Sequence, residues 1–264
     1  FEVIVVDNGS RDESLRVLER YPEVRVVALA RNRGFAGGAN AGIRAARGDV
    51  LVMLNNDTEA EPGWLGALVS GLLAEPGAGM ATSKVRLFDR RDTLHTTGDT
   101  LDLAGSPANR GVWQVDRGQW DDRRDVFGAS GAAAAYRRAL LDEVGVFEEA
   151  FGSYLEDVDL AWRARLAGWA CVFVPEAVVY HYLSATGGGP LSSYLVARNR
   201  LWLIARNYPT RLLVRNFRRV AGAQAALARD ALAASRGAAA RATLRGMLVG
   251  LVTWTRMLPA RRRI

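Results

Sequence analysis

Short apolar runs alternate with stretches of helical periodicity along the first third of the chain. Phe1 to Asp7 predicts a strand, and Ser10-Arg11-Asp12-Glu13 has the form of a capping box that predicts a helix to about Tyr21, with Pro22 helping to stop it. Val24 to Leu29 predicts a second strand, Gly34 to Ala46 a small-residue helix ended by Gly48, Val50 to Leu54 a third strand and Pro62 to Leu73 another helix. Strands separated by helices imply crossover connections, hence an α/β fold with a mostly parallel sheet flanked by helices. Ligand sites in such sheets sit at the carboxyl ends of strands. Asp7-Asn8-Gly9-Ser10 and Asn55-Asn56-Asp57 both fall there.

Further along, Met80 to Val85 predicts a strand, and Arg86 to Asp125 reads as a loop-rich insertion that Trp113 and Trp120 order in part into a surface able to hold a substrate. Val126 to Tyr136 predicts a Gly/Ala-rich strand, Arg138 to Val144 and Asp157 to Ala167 helices, and Ala170 to Val174 and Ala177 to His181 two short strands. The pattern is helical from Pro190 onward. A division follows into an α/β domain over 1–206 and a basic amphipathic helical tail over 207–264.

The chain has 264 residues, 49% hydrophobic and 24% charged, enough to bury a sizeable core. Its one cysteine, Cys171, excludes an internal disulfide framework and sits in an apolar run, where a buried thiol is expected. No run of 18 apolar residues and no charged-then-apolar leader occurs, so a cytoplasmic location is expected. The formal charge of +7 belongs to the tail: from Asn207 onward there are 12 Arg and one acid, Asp230. The chain begins inside a strand without an initiating Met, and upstream sequence is expected to be absent.

Two clusters carry chemistry. Asn55, Asn56 and Asp57 end an apolar strand with oxygens suited to Mg²⁺ or Mn²⁺, ions that complete their shells with substrate phosphates and water. Asn and Asp after a strand are also ordinary turn formers. Glu156-Asp157-Val158-Asp159 places three carboxylates at a helix start, where acids complement the helix dipole. Acids packed together also repel one another, which raises at least one pKa and suits a proton acceptor near neutral pH. Asp157 is the candidate base.

The ordered motifs Val6-Asp7-Asn8-Gly9-Ser10, Asn32-Arg33-Gly34-Phe35-Ala36-Gly37-Gly38-Ala39-Asn40, Leu54-Asn55-Asn56-Asp57 and Glu156-Asp157-Val158-Asp159-Leu160 with Arg163 and Gly168-Trp169, followed by His181, cover nearly the whole chain. Together they resemble the inverting family 2 glycosyltransferases with the GT-A fold, in the bacterial rhamnosyltransferase-like branch. The resemblance implies sugar transfer from a nucleoside-diphosphate sugar to a saccharide or lipid-linked acceptor, in bacterial cell-surface polysaccharide synthesis. It implies that Asp7 contacts the nucleobase or ribose, and that Asn32, Gly34 and Asn40 line the donor pocket. Asn55-Asn56-Asp57 takes the family's DXD position with Asn55 in place of its first acid, Asp57 and His181 hold the cation, and Asp157 is the base. Glu156 and Asp159 orient the acceptor or cap the helix, and Arg198-Asn199 offers a diphosphate contact or a structural ion pair.

Family members open with a further strand and helix, and this chain is expected to be unstable or inactive without them. The tail mixes Arg with apolar residues at helical spacing, with Met247, Leu248, Leu251, Val252 and Trp254 before Arg261-Arg262-Arg263. Such a composition fits an interfacial helix that would bring the enzyme to an anionic membrane surface on the inner face of the cell membrane, or a helical hairpin packed on the catalytic domain. A sugar-phosphate nucleotidyltransferase and a noncatalytic nucleic-acid-binding module using the Arg-rich tail are the alternatives. The glycosyltransferase reading expects no nucleic acid, and the glycines of 34–38 lack the spacing of a dinucleotide-binding fingerprint.

Overall fold

The computed structural model describes residues 1–182 and 189–261. Strand β1 (Ile4–Asp7), helix α1 (Ser14–Leu18) and strand β2 (Arg25–Ala28) open the chain; β1 and β2 pair parallel with each other, and form their own two-stranded sheet. Helix α1 starts later than its sequence signal: its N-cap position is Glu13, which makes no side-chain cap, and the residue before that is Asp12. Its Oδ1 accepts from the N–H of Ser14 at 3.0 Å.

Helix α2 (Gly34–Ala45), β3 (Val50–Leu54), β4 (Thr58–Ala60), α3 (Trp64–Ala74) and the ten-residue β5 (Ala78–Leu87) follow. The insertion contains β6 (Leu94–Thr96), β7 (Asp99–Leu101), β8 (Pro107–Asn109) and β9 (Asp125–Val126). It is ordered by buried charge. Lys84 pairs with Asp121 at 2.7 Å and Asp116 at 3.2 Å, Arg86 also takes Asp116, and the guanidinium of Arg110 stacks on Trp120. Strand β10 (Ala133–Arg137), α4 (Arg138–Val144), α5 (Glu156–Leu166) and β11 (Ala170–His181) complete the sheet.

The main sheet has the path β3-β10-β5-β11-β4, with β6 on β5 and β9 on β11. It is mixed rather than mostly parallel: β11 runs parallel to β5, while β10 runs antiparallel to both β3 and β5 and β4 antiparallel to β11. Both faces are covered, so the strands read as nearly continuous apolar runs. Met80, Ala134, Tyr136, Cys171 and Phe173 face a layer with Ile43, Leu140 and Leu160, while Ala81, Ala133, Ala135, Val172 and Val174 face Trp64, Leu68 and Leu72. The two short strands expected over 170–181 are one, because a bulge over 175–177 absorbs Pro175. Val174 pairs with Ser83 and the next register pair is Val178 with Lys84.

Helices α6 (Gly189–Asn207), α7 (Thr210–Ala233), α8 (Ala238–Thr253) and α9 (Leu258–Arg261) form the C-terminal part. Of the basic run Arg261-Arg262-Arg263, only Arg261 lies within the described residues. The 206/207 boundary runs through continuous packing: Phe151, Val158 and Trp162 share a cluster with Trp202, Leu203, Tyr208, Val220 and Met257. At Gly246 a β-carbon would stand 2.2 Å from the Tyr194 carbonyl oxygen, so α8 lies against the backbone of α6. Among the described residues no helix is long and apolar enough to cross a membrane.

Candidate functional site

Asn55, Asn56 and Asp57 carry the chain from β3, at one edge of the main sheet, to β4 at the other. The start of this passage is fixed by the Asn55 N–H, which donates to the Ala132 carbonyl at 2.9 Å. Its end is fixed by β4, where Thr58 pairs with His181 and the Tyr182 N–H donates to the Asp57 carbonyl at 2.9 Å. Strand pairing therefore brings two residues 124 positions apart side by side. His181 Nε2 lies 3.0 Å from Asp57 Oδ1, and both side chains are largely buried.

Ligands at about 2.1 Å in neighbouring octahedral positions stand about 3 Å apart, so the Asp57-His181 spacing fits two donors to one Mg²⁺ or Mn²⁺. Among the described residues no group of three or more His, Cys, Asp or Glu forms a closed metal cage. An ion here would complete its shell with non-protein oxygens, as phosphate-bound Mg²⁺ does.

Sequence reasoning missed the third member of this row. His95, in the insertion, lies on β6, the neighbour of β5, and its Nδ1 is 3.3 Å from His181 Nδ1. Burial, followed by the nearby His181, lowers its pKa to about 4, so the ring is neutral near physiological pH. The chain has two histidines, and this scarcity was the available signal.

Asp157 sits in the first turn of α5. Its Oδ2 accepts from the Gly131 N–H at 3.0 Å and its Oδ1 from the Val158 N–H at 2.8 Å. Burial pushes its pKa above the ordinary aspartate value, against the lowering effect of those two donors. Behind it stand Glu156 and Asp99, each with a buried carboxyl oxygen lacking a hydrogen-bond partner among the described residues. Burial, then the charge of Asp157, holds both well above the usual carboxylate range. Asp99 was not legible as a site neighbour because it too lies in the insertion. Cys171 is buried, and burial pushes its thiol up, away from nucleophilic use.

The turn before α5 is strained: Tyr154 and Leu155 have φ of 70° and 67°, the left-handed region that non-glycine residues rarely occupy. Asn199 on α6 holds it, its amide donating to the carbonyls of Phe151, Ser153 and Tyr154. Arg198 donates to the Phe151 carbonyl at 2.8 Å and lies over Trp202. Among the described residues Arg198 is not half of an ion pair, which corrects that expectation; it braces this loop. Asp159 also departs from expectation. Fully buried, it accepts from Arg163 Nε at 2.9 Å and Asn207 Nδ2 at 2.7 Å and pairs with Arg206, tying α5 to α6 instead of meeting an acceptor.

At the ends of β1 and β2, Asp7 is buried and its Oδ1 accepts from the Ser10 N–H at 3.3 Å, closing the turn that follows. Asn8 Nδ2 donates to the Gly34 carbonyl and Asn32 Oδ1 accepts from the Gly34 N–H at 2.8 Å. Gly34 has φ +73°, and a β-carbon there would stand 2.6 Å from the Gly152 carbonyl oxygen, so only glycine fits. Asn40 corrects its expectation. It is buried within a two-way amide pairing with the backbone of Phe147 and is not turned to a donor pocket.

These groups are linked through shared contacts. The Phe35 N–H donates to Ser153 Oγ at 3.1 Å, and the Phe35 ring faces the Gly131 α-carbon, whose own N–H holds Asp157. One residue further on, Ala132 holds Asn55. A continuous contact path thus links Asn8-Asn32-Gly34, Asp157 and the segment leading to Asp57. Asn56 is exposed.

A family model described as Glycosyl transferase family 2 matches residues 1–145. The chain is 29% identical over 220 residues to an N-acetylglucosaminyl-diphospho-decaprenol L-rhamnosyltransferase of Mycobacterium tuberculosis, covering 75% of this chain and 72% of that protein. Among solved structures, the mannosyltransferase PcManGT from Pyrobaculum calidifontis, in complex with GDP-Man and Mn²⁺, superposes with a TM-score of 0.56 at 21% identity over 99% of this chain and 76% of that one. GalNAc-T7 with UDP, GalNAc and Mn²⁺ does so with a TM-score of 0.59 at 16% identity, over 78% of this chain and 41% of that one. At these identities the likeness is one of fold.

Proposed function

The chain belongs to glycosyl transferase family 2, and from that premise we propose that it transfers a hexosyl group, rhamnose in the first instance, from a nucleoside-diphosphate donor to a hydroxyl of a lipid-linked saccharide with inversion. The sugar and the acceptor class are taken from the mycobacterial relative's name. The observation that supports the mechanism is the run of contacts through Gly131, Ala132 and Asn55 that leads from the hydrogen-bonded Asp157 carboxylate to the segment ending at Asp57, which meets His181.

In this mechanism Asp157 takes the proton of the acceptor O–H. The freed oxygen forms its bond to the anomeric carbon from the face opposite the diphosphate, and the bond from that carbon to the diphosphate oxygen breaks, its electron pair leaving with the phosphate. A single displacement inverts the anomeric centre. Asp57 and His181 would hold Mg²⁺ or Mn²⁺, which when bound supplies Lewis-acid stabilisation of the departing diphosphate. Asp7, Asn32 and Gly34 shape the donor end of the cleft, and the raised pKa of Asp157 suits a proton acceptor.

We further propose that the enzyme works at a membrane surface. Leu248, Leu251 and Val252 are exposed at helical i, i+3, i+4 spacing on α8, and Val214 and Phe217 are exposed on α7 among exposed Arg211, Arg215 and Arg218.

The direct test incubates the full chain with Mn²⁺, a polyprenyl-diphospho-N-acetylglucosamine acceptor and a panel of dTDP-, UDP- and GDP-sugars, and reads product configuration by proton NMR. Transfer with inversion supports the proposal. Transfer with retention overturns it.

A further inference from the structure

His95 and His181 meet through the same ring nitrogen, Nδ1 to Nδ1 at 3.3 Å, while His181 points its other nitrogen at Asp57 at 3.0 Å. A hydrogen bond between two Nδ1 atoms needs one to carry hydrogen and the other to present a lone pair. The arrangement therefore couples the tautomers of the two rings. If His181 Nε2–H donates to Asp57, its Nδ1 is an acceptor and His95 carries hydrogen on Nδ1. If His181 Nε2 presents its lone pair, as ligation requires, the hydrogen of His181 sits on Nδ1 and must find an acceptor. His95 Nδ1 is that acceptor, and the hydrogen of His95 then sits on its Nε2. The Asn109 amide, 3.5 Å from His95 Nε2, completes the row because it can donate through Nδ2 or, turned over, accept through Oδ1.

We propose that His95 is a positioning residue for His181, accepting the His181 Nδ1–H and thereby presenting the Nε2 lone pair beside Asp57 to a divalent cation. This rests on the reading of Asp57 and His181 as the cation's protein donors. The sheet supports the role. His95 lies on β6, His181 on β11 and Asp57 next to β4, and β5 joins β6 to β11, so hydrogen-bonded strands set the spacing of the row. Partners that orient a ligating histidine through its other nitrogen commonly change metal affinity about 10- to 100-fold when removed.

The test uses the full chain and Mn²⁺ alone, with binding followed by electron paramagnetic resonance. His95→Phe is expected to weaken Mn²⁺ binding about 10- to 100-fold, and His95→Asn, which keeps an acceptor, to recover most of the loss. If His95→Phe binds like the parent while His181→Ala loses the ion, the positioning role is wrong and the cation reading stands. If Asp57→Ala and His181→Ala both bind like the parent, the cation reading itself fails and this inference with it. Nitrogen-15 spectra of the unmutated chain with Mg²⁺ need no variant that folds: His181 should carry hydrogen on Nδ1 and none on Nε2, and hydrogen found on Nε2 overturns the proposal.

Discussion

The Gly131 N–H donates to Oδ2 of Asp157 at 3.0 Å, so the carboxylate proposed as base is aimed by the backbone of the same turn that holds Asn55. Asp157→Asn keeps the shape and one accepting oxygen but removes the proton acceptor. Turnover should fall by about 10²- to 10⁴-fold with donor binding little changed. Transfer rates alongside calorimetric donor titration check this, and a variant with near-parental turnover would exclude Asp157 from the chemistry.

The pH dependence follows from the burial of the same group. Asp157 acts as a base only when ionised, and its pKa is raised above the ordinary aspartate value. The acid limb of kcat/KM should therefore fall off at a pH above about 3.9, the usual aspartate value. A limb at or below that value would show that another group governs the rate.

Asp99 offers a stability test with a defined sign. Its folded pKa is raised by burial and by Asp157, so the folded chain binds its proton more tightly than the unfolded chain. The stabilisation is full below the unfolded pKa and is lost as pH rises through the folded one. Asparagine mimics the protonated side chain and does not titrate. The Tm of Asp99→Asn relative to the parent should rise between about pH 4 and about pH 8; a constant difference across that range would mean that Asp99 titrates alike in both states.

Asp159 accepts from Asn207 and faces both Arg163 and Arg206 inside the protein. Removing one partner of a buried charge cluster commonly costs about 3–5 kcal/mol, because the remaining charges lose their compensation. Urea unfolding of Asp159→Ala should show a loss of that order, and Arg163→Met in the same chain should return part of it. A loss below about 1 kcal/mol, typical of exposed pairs, would contradict the structural role.

The apolar face of α8 gives a membrane test that leaves the fold intact, since Leu251 and Val252 are 59% and 71% exposed. The double substitution Leu251→Asp and Val252→Asp should reduce co-sedimentation with vesicles containing phosphatidylglycerol and leave the far-ultraviolet spectrum unchanged. Equal sedimentation of variant and parent would remove this face from the membrane proposal.

Where one local rule governed an element, the sequence was a good guide: β3 falls on Val50 to Leu54, and α4 on Arg138 to Val144. The Ser10 box does not form: the N-cap position falls at Glu13 without a side-chain cap, and Asp12 accepts from the Ser14 N–H. Sheet direction was misjudged because periodicity reports that both faces are buried but not which way a neighbouring strand runs. The pairing of β10 between β3 and β5 is a tertiary outcome. At the candidate site, Asp57 and His181 were named from order along the chain, and strand pairing places them in contact. Asn40, Asp159 and Arg198 were polar residues in suggestive company whose partners are backbone or buried charge. His95 and Asp99 were hidden in a segment read as loop.

The bulge over 175–177 has a consequence for changes in chain length. Before it the even-numbered Val172 and Val174 pack toward Trp64; after it the odd-numbered Val179 does so, as does Ala177 at the end of the bulge. The bulge thus inverts side-chain parity in the last stretch of β11, and with it the face on which His181 emerges. Deleting or duplicating a single residue there would turn the imidazole to the other side of the sheet, whereas a two-residue change would preserve its side, so viable length variants of this strand should differ by even numbers.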